Sequence, residues 1–225
     1  MDGYGQYVDL IERVGLRSAI ISIANQYRID LGAQLGAPGS DDRVQSLAKF
    51  ESIRGRMRVS FASRANRFTV TMDSGRGYVW ASGSTADLFE VVGAMGHWRR
   101  GAKLEQLSEK FPFMEFDRLS KAYEDGNPVE TQWDIVIGGG EFIGYRDLLL
   151  ALHADPGLRT MFPFFSHWTL RMAKDCYDAQ AGEILIKPSA DVGYVIWSSA
   201  APEQRKELRR LGDVVREAAR MLGDI

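Results

Sequence analysis

Apolar positions recur along this chain with two different periods, and the changes of period mark its elements. Near the start, Tyr7, Leu10, Ile11 and Val14 share one helical face and predict an amphipathic helix over Tyr4–Val14, closed by Gly15. Arg17–Tyr27 carries the strand-forming Ile20, Ile21 and Ile23, but its length favours a helix, and it is assigned as one. The glycines, proline and aspartates of Gly32–Asp42 form a turn-rich loop.

The period then shortens to two. Met57, Val59 and Phe61 alternate with Arg56, Arg58 and Ser60, and Phe68, Val70 and Met72 alternate with Arg67, Thr69 and Thr71. A sheet with one buried face requires this alternation. Ser63–Asn66 and Asp73–Gly77 supply turns, and Tyr78–Ala81 a third strand. A helix is expected from about Thr85, with Ser84 or Thr85 as cap and Asp87 in its first turn. Its buried stripe is Leu88, Val91, Val92, Met95 and Trp98.

Residues 101–165 read as helical. Leu104, Leu107 and Phe111 form one short stripe and Leu119, Ala122 and Tyr123 another, ended by Asp125-Gly126-Asn127-Pro128. Trp133–Ile137 fits a strand or a buried helix, and Tyr145–Ala154 is a helix ended at Asp155-Pro156-Gly157. Alternation then returns: Trp168, Leu170 and Met172 oppose Thr169 and Arg171, and Glu183–Lys187 and Tyr194–Trp197 are short strands. A last helix is expected from Pro202 at its first position to Leu222, burying Leu208, Leu211, Val215, Ala218 and Leu222. Gly77-Tyr78-Val79-Trp80-Ala81-Ser82 and Gly193-Tyr194-Val195-Ile196-Trp197-Ser198 both read as a strand entering a helix. The predicted fold is therefore α+β: two antiparallel strand-strand-strand-helix units joined by a helical middle. They are expected to share one core in a single domain over 1–225, with sub-units 1–100 and 101–225.

Composition narrows the class. With 45% apolar, 26% charged and 11% aromatic residues and a net charge of -2, the chain reads as an ordinary globular protein, which argues against disorder and coiled coil. A single cysteine, Cys176, excludes an internal disulfide framework and suits a reducing compartment. No apolar run approaches the ~20 residues of a membrane helix, and Met1-Asp2-Gly3-Tyr4 has no basic leader, so the expected localisation is cytoplasmic, without a membrane partner.

Charge does single out one segment. Arg54, Arg56, Arg58, Arg64, Arg67 and Arg76 face one acid, Asp73, giving a local charge of +5. Arg56, Arg58 and Arg67 alternate with core residues and share the outer sheet face with Thr69 and Thr71, where guanidinium groups can bind carboxylate or phosphate. The plain alternative is a solvated face neutralised by acids from elsewhere. The overall charge argues against nucleic acid as a partner.

Other candidates carry less chemistry. The run Gly138-Gly139-Gly140 lies between a possible strand and a helix, but lacks both the spacing of a dinucleotide fingerprint and a phosphate-loop lysine. His97, His153 and His167 show no helical metal-site spacing, so no metal and no cofactor are expected. His167 with Cys176 is a conceivable thiol pair, set against a buried inert cysteine. Ser166 and His167 on a regular strand point to opposite faces and cannot act together.

The segments Leu148–Arg159 and Phe162–Arg171, with Pro163-Phe164-Phe165-Ser166-His167 at their centre, resemble a bacterial family of unknown function associated with natural-product biosynthesis clusters. Phe111-Pro112-Phe113 fits the same pattern, so the resemblance extends over the last two thirds of the chain. It implies a cytoplasmic accessory role and brings no catalytic residue.

Pro163 and the following aromatics make a rigid entry into a strand, placing any pocket beside His167, Trp168 and Arg171. The leading expectation is a non-enzymatic binding protein that uses a sheet face to recognise an acidic protein partner or an anionic carrier-bound intermediate. Its binding residues are Arg56, Arg58, Arg67, His167, Trp168 and Arg171. Two rivals stand beside it: an immunity or chaperone-like protein holding a toxin or effector, and an enzyme on an anionic small molecule with His167 as acid/base. The oligomeric state stays open.

Overall fold

Gly15, at φ 80°, separates two short helices, α1 (Gln6–Val14) and α2 (Leu16–Gln26), in a conformation that glycine adopts without a Cβ penalty. In the computed structural model residues 6–32, 46–178 and 180–223 are described, and the chain divides into two units, Met1–Glu124 and Asp125–Ile225. The fold is α+β, with eight α-helices and two antiparallel five-stranded sheets among the described residues. The loop expected over Gly32–Asp42 lies, from residue 33 onward, outside them.

In the first unit α1 buries Ile11 with Tyr7 and Leu10 beside it, while Val14 is exposed. The isoleucine-rich segment is helical because Leu16, Ala19, Ile20 and Ala24 fall on one buried face, and that burial outweighs the weak preference of β-branched residues for strands. The sheet runs β1 (Leu47–Ser52), β2 (Gly55–Ala62), β3 (Arg67–Asp73), β4 (Val79–Thr85), β5 (Met114–Glu115). Register places Met57 opposite Met72, Val59 opposite Val70 and Phe61 opposite Phe68, so the expected alternation forms the buried face. Strands β1 and β5 were not expected. Ser84 and Thr85 still belong to β4, and the cap of α3 (Leu88–Arg99) is Asp87, whose Oδ1 accepts the Phe89 N–H at 2.8 Å. All five residues of the expected stripe of α3 are buried. Helices α4 (Leu104–Lys110) and α5 (Arg118–Asp125) follow. The carbonyl of Phe113 approaches Gly83 to 2.0 Å from where a Cβ would stand, so only glycine admits β5 there.

The open edge of β1 is covered. Its alternate carbonyls, those of Lys49 and Glu51, accept hydrogen bonds from Arg17 Nη1 at 2.5 Å and Arg99 Nη1 at 3.1 Å. Unpaired strand edges invite foreign strands, and side-chain donors placed along them block that pairing.

In the second unit α6 (Pro128–Gly138), α7 (Arg146–Ala154) and α8 (Leu211–Leu222) accompany a sheet ordered β10-β9-β8-β7-β6. The strands are β6 (Phe162–Ser166), β7 (Thr169–Ala173), β8 (Glu183–Ser189), β9 (Gly193–Ser198) and β10 (Ala201–Leu208). Trp133 is therefore on a helix, which resolves the alternative left open. Its ring joins Leu149, Leu152, Leu170, Met172, Ile184, Ile186 and Ile196 in a buried cluster.

The last helix starts nine residues later than expected. Pro202–Leu208 has high helix propensity but is strand, because Lys206, Glu207 and Leu208 pair with β9. Pro202 is tolerated on this edge strand, and the charged residues around it discourage further pairing. The buried face of α8 is Val214, Ala218 and Met221, with Leu211, Val215 and Leu222 at its flanks. Leu208 belongs to β10. The likeness between residues 77–82 and 193–198 stops at the strand: the first leads into a helix, the second into β10.

Candidate functional site

Ser166 pairs with Thr169, so β6 and β7 are joined by a two-residue turn, His167-Trp168. Both residues have positive φ, 50° and 60°. Such hairpin turns select Asn-Gly or Asp-Gly, because a Cβ in the left-handed region costs roughly 1–2 kcal/mol per residue. Trp168 is consequently outside the strand alternation assigned to it, and the residue is 61% exposed.

The tip stands on a rigid base. Tyr145 Oη donates to the Trp168 carbonyl at 2.6 Å. Burial raises the pKa of this phenol above its usual value. Phe142 stacks on Phe165 with ring centroids 3.9 Å apart, and the Tyr145 ring meets Phe165 edge-on at 4.8 Å. Ile143, between the two anchors, is exposed.

Ser166 Oγ lies 3.1 Å from His167 Nδ1. The expectation that these side chains diverge fails because its premise, a regular strand, fails at His167. Arg171 is engaged within the sheet: its Nε donates to Glu183 Oε2 at 2.7 Å, and its guanidinium sits 5.5 Å from the Phe164 ring centroid.

In the first unit Arg54, Arg56 and Arg58 each meet an acid, distant in sequence only for Arg54. Arg54 lies between Trp80 and Trp98, 4.4 and 3.8 Å from their ring centroids, with Nη2 2.8 Å from Glu124 Oε1 and Nη1 donating to the Ala102 carbonyl. This guanidinium is a structural cation. Arg56 pairs with Glu51 at 3.2 Å and Arg58 with Asp73 at 3.2 Å, both arginine side chains remaining nearly half exposed. Arg67 donates to the Ser84 hydroxyl and carbonyl. Arg64 and Arg76 are exposed. The basic segment is thus a sheet face partly balanced by nearby Glu51 and Asp73 and by the remote Glu124. The exposed Arg56–Glu51 pair is worth at most about 1 kcal/mol, whereas the Asp73 carboxylate that meets Arg58 is largely covered.

The remaining candidates separate. Gly138–Gly140 spans the end of α6 and a 3-10 turn. His97 packs edge-on against Phe111 in the first unit, with its pKa lowered by burial and by Lys110 and Arg100. Cys176 is half-buried, and among the described residues no cluster of three or more His, Cys, Asp or Glu could hold a metal. Sequence reasoning passed over two depressions. One, of about 480 Å³, lies on the first sheet and is lined by Thr71, Val79, Ser82, Glu115, Phe116 and Ser120. The other, of about 520 Å³, brings Glu130 and His153 together with Arg159 and Thr160. No linear motif signals either, since their walls come from separate elements.

Residues 127–222 match the model of a family described as a family of unknown function (DUF6193). The match contains the 148–171 segment that carried the resemblance, and begins after Phe111-Pro112-Phe113, so it is shorter than the span first assigned. No curated protein and no solved structure matches the chain. None of the described helices is long and apolar enough to cross a membrane.

Proposed function

We propose that this chain is a non-enzymatic binding protein whose recognition element is the β6–β7 hairpin tip. The observation that carries this reading is the pair His167-Trp168, two side-chain-bearing residues held at positive φ with the tryptophan exposed. Local strain of this kind persists where surrounding structure enforces it and is concentrated at functional positions. Tryptophan is also among the residues enriched at interface hot spots. Within the first unit, Arg56, Arg58 and Arg67 carry positive charge on the outer sheet face, which suits an acidic protein partner or an anionic carrier-bound intermediate; Arg171, beside the hairpin, is held by Glu183. The setting, an accessory step in natural-product biosynthesis, rests on the resemblance of residues 148–171 alone.

The test replaces His167-Trp168 by Asn-Gly, which keeps the hairpin and removes both side chains. Native mass spectrometry of the protein gently purified from its own host should show a bound protein with the parent chain and none with the variant. Retention of the same partner by the variant overturns the tip as recognition element.

The Ser166–His167 contact favours a second reading, an enzyme on an anionic small molecule with His167 as acid/base. Under that reading His167→Ala abolishes a chemical conversion, whereas under the first it weakens only association.

A further inference from the structure

The second unit holds a depression of about 520 Å³ that the hairpin reading does not use, within the size range of small-molecule sites. One wall is the start of α6, with Pro128, Val129 and Glu130; the other carries His153 from the end of α7, Arg159 and Thr160. Trp133 organises the basic wall from beneath. Its indole N–H is 3.0 Å from the carbonyls of both Arg159 and Met161, and its ring lies 5.2 Å from the His153 ring. One buried side chain, Trp133 at 1% exposure, therefore holds the backbone of Arg159 and packs beside the His153 ring.

The charges in the depression do not satisfy one another. Glu130, His153 and Arg159 form no ion pair or hydrogen bond through their side chains among the described residues. The nearest acid in sequence to Arg159, Asp155, accepts from the N–H groups of Gly157 and Leu158. Thr160 Oγ1 donates to the Gly157 carbonyl and keeps its lone pairs for a donor. A simple anion would meet the Glu130 carboxylate as well as Arg159, and a simple cation the reverse.

We propose that this depression binds a small zwitterion, an amino acid with a free α-carboxylate and α-ammonium group. The carboxylate takes the Arg159 guanidinium in its two-pronged geometry with the His153 ring beside it, and the ammonium takes Glu130. Pro128 and Val129 contact the apolar part of the ligand. The site is separate from the hairpin tip, and either reading can fail alone.

The test is a nuclear magnetic resonance titration of the whole chain, following the His153 ring signals. L-leucine is the first probe, followed by the other proteinogenic amino acids one at a time. The half-ligands 4-methylpentanoate and 3-methylbutylamine lack the ammonium and the carboxylate respectively. At least one amino acid should saturate the signals, and its half-ligands should bind at least about tenfold more weakly. Arg159→Gln, at an exposed position, should weaken the amino acid by a similar factor, and Glu130→Gln should shift preference toward the carboxylate half-ligand. Equal binding of acid and amino acid, indifference to Arg159→Gln, or no saturation by any amino acid up to about 50 mM overturns the proposal.

Discussion

Tyr145 and Trp168 are joined by a single hydrogen bond, 2.6 Å from phenol to carbonyl, that ties the 3-10 segment before α7 to the tip of the β6–β7 hairpin. It holds the backbone of a turn that its own residues disfavour. Tyr145→Phe keeps the edge-on contact with Phe165 and removes only this bond. Denaturant unfolding should show a loss of about 1 kcal/mol, the net worth of one such bond. An unchanged midpoint would mean that the aromatic base alone holds the turn.

The Asn-Gly replacement at His167-Trp168 should move stability the other way. Removing the left-handed penalty at two positions predicts a gain of about 1–3 kcal/mol in the same unfolding measurement. A gain in stability together with loss of binding is the signature of a strained recognition element.

Arg54 should behave unlike its neighbours in the basic segment. Arg54→Ala leaves the Glu124 carboxylate, 9% exposed, without its counter-charge and empties the space between Trp80 and Trp98. The expected loss is about 3 kcal/mol or more. Arg56→Ala, at an exposed pair, should cost less than about 1 kcal/mol. Comparable losses at both positions would contradict the structural role assigned to Arg54.

His97 predicts a pH dependence. Burial, with Lys110 and Arg100 nearby, lowers its pKa in the folded chain, so the unfolded chain binds the proton first. The associated stability is present above the ordinary histidine value of about 6.5 and is lost as pH falls toward the folded value. Urea midpoints at pH 7.5 and 5.5 should therefore differ less in His97→Gln than in the parent chain.

How far this molecule can be read from its residues depends on where each signal is stored. Strands β2 and β3 were legible because Met57, Val59, Phe68 and Val70 alternate with polar partners inside single segments. The α3 stripe was legible for the same reason at helical spacing. Strand β10 was not, since Glu203 to Glu207 favour helix locally and only pairing with β9 makes them extended. Trp168 was misplaced because alternation continues one residue past the point where the chain turns. The partner of Arg54 was not legible, because its counter-charge is remote: Glu124 is 70 residues away. The depression at His153 and Arg159 was invisible, because the residue that arranges it, Trp133, is more than 20 positions from the backbone carbonyls it holds.

The two guanidinium groups on the margin of β1 also bear on how this protein can meet others. A sheet grows as a crystal does, by adding a row wherever an unfilled row is presented, and a foreign molecule adsorbed on the growth face stops it. Arg17 and Arg99 are such growth inhibitors, built into the chain. The second sheet is guarded differently: Pro163 offers β6 no N–H, and Gln132 Nε2 occupies the Pro163 carbonyl at 2.9 Å. Addition of a foreign strand is thereby hindered at these two margins, β1 and β6.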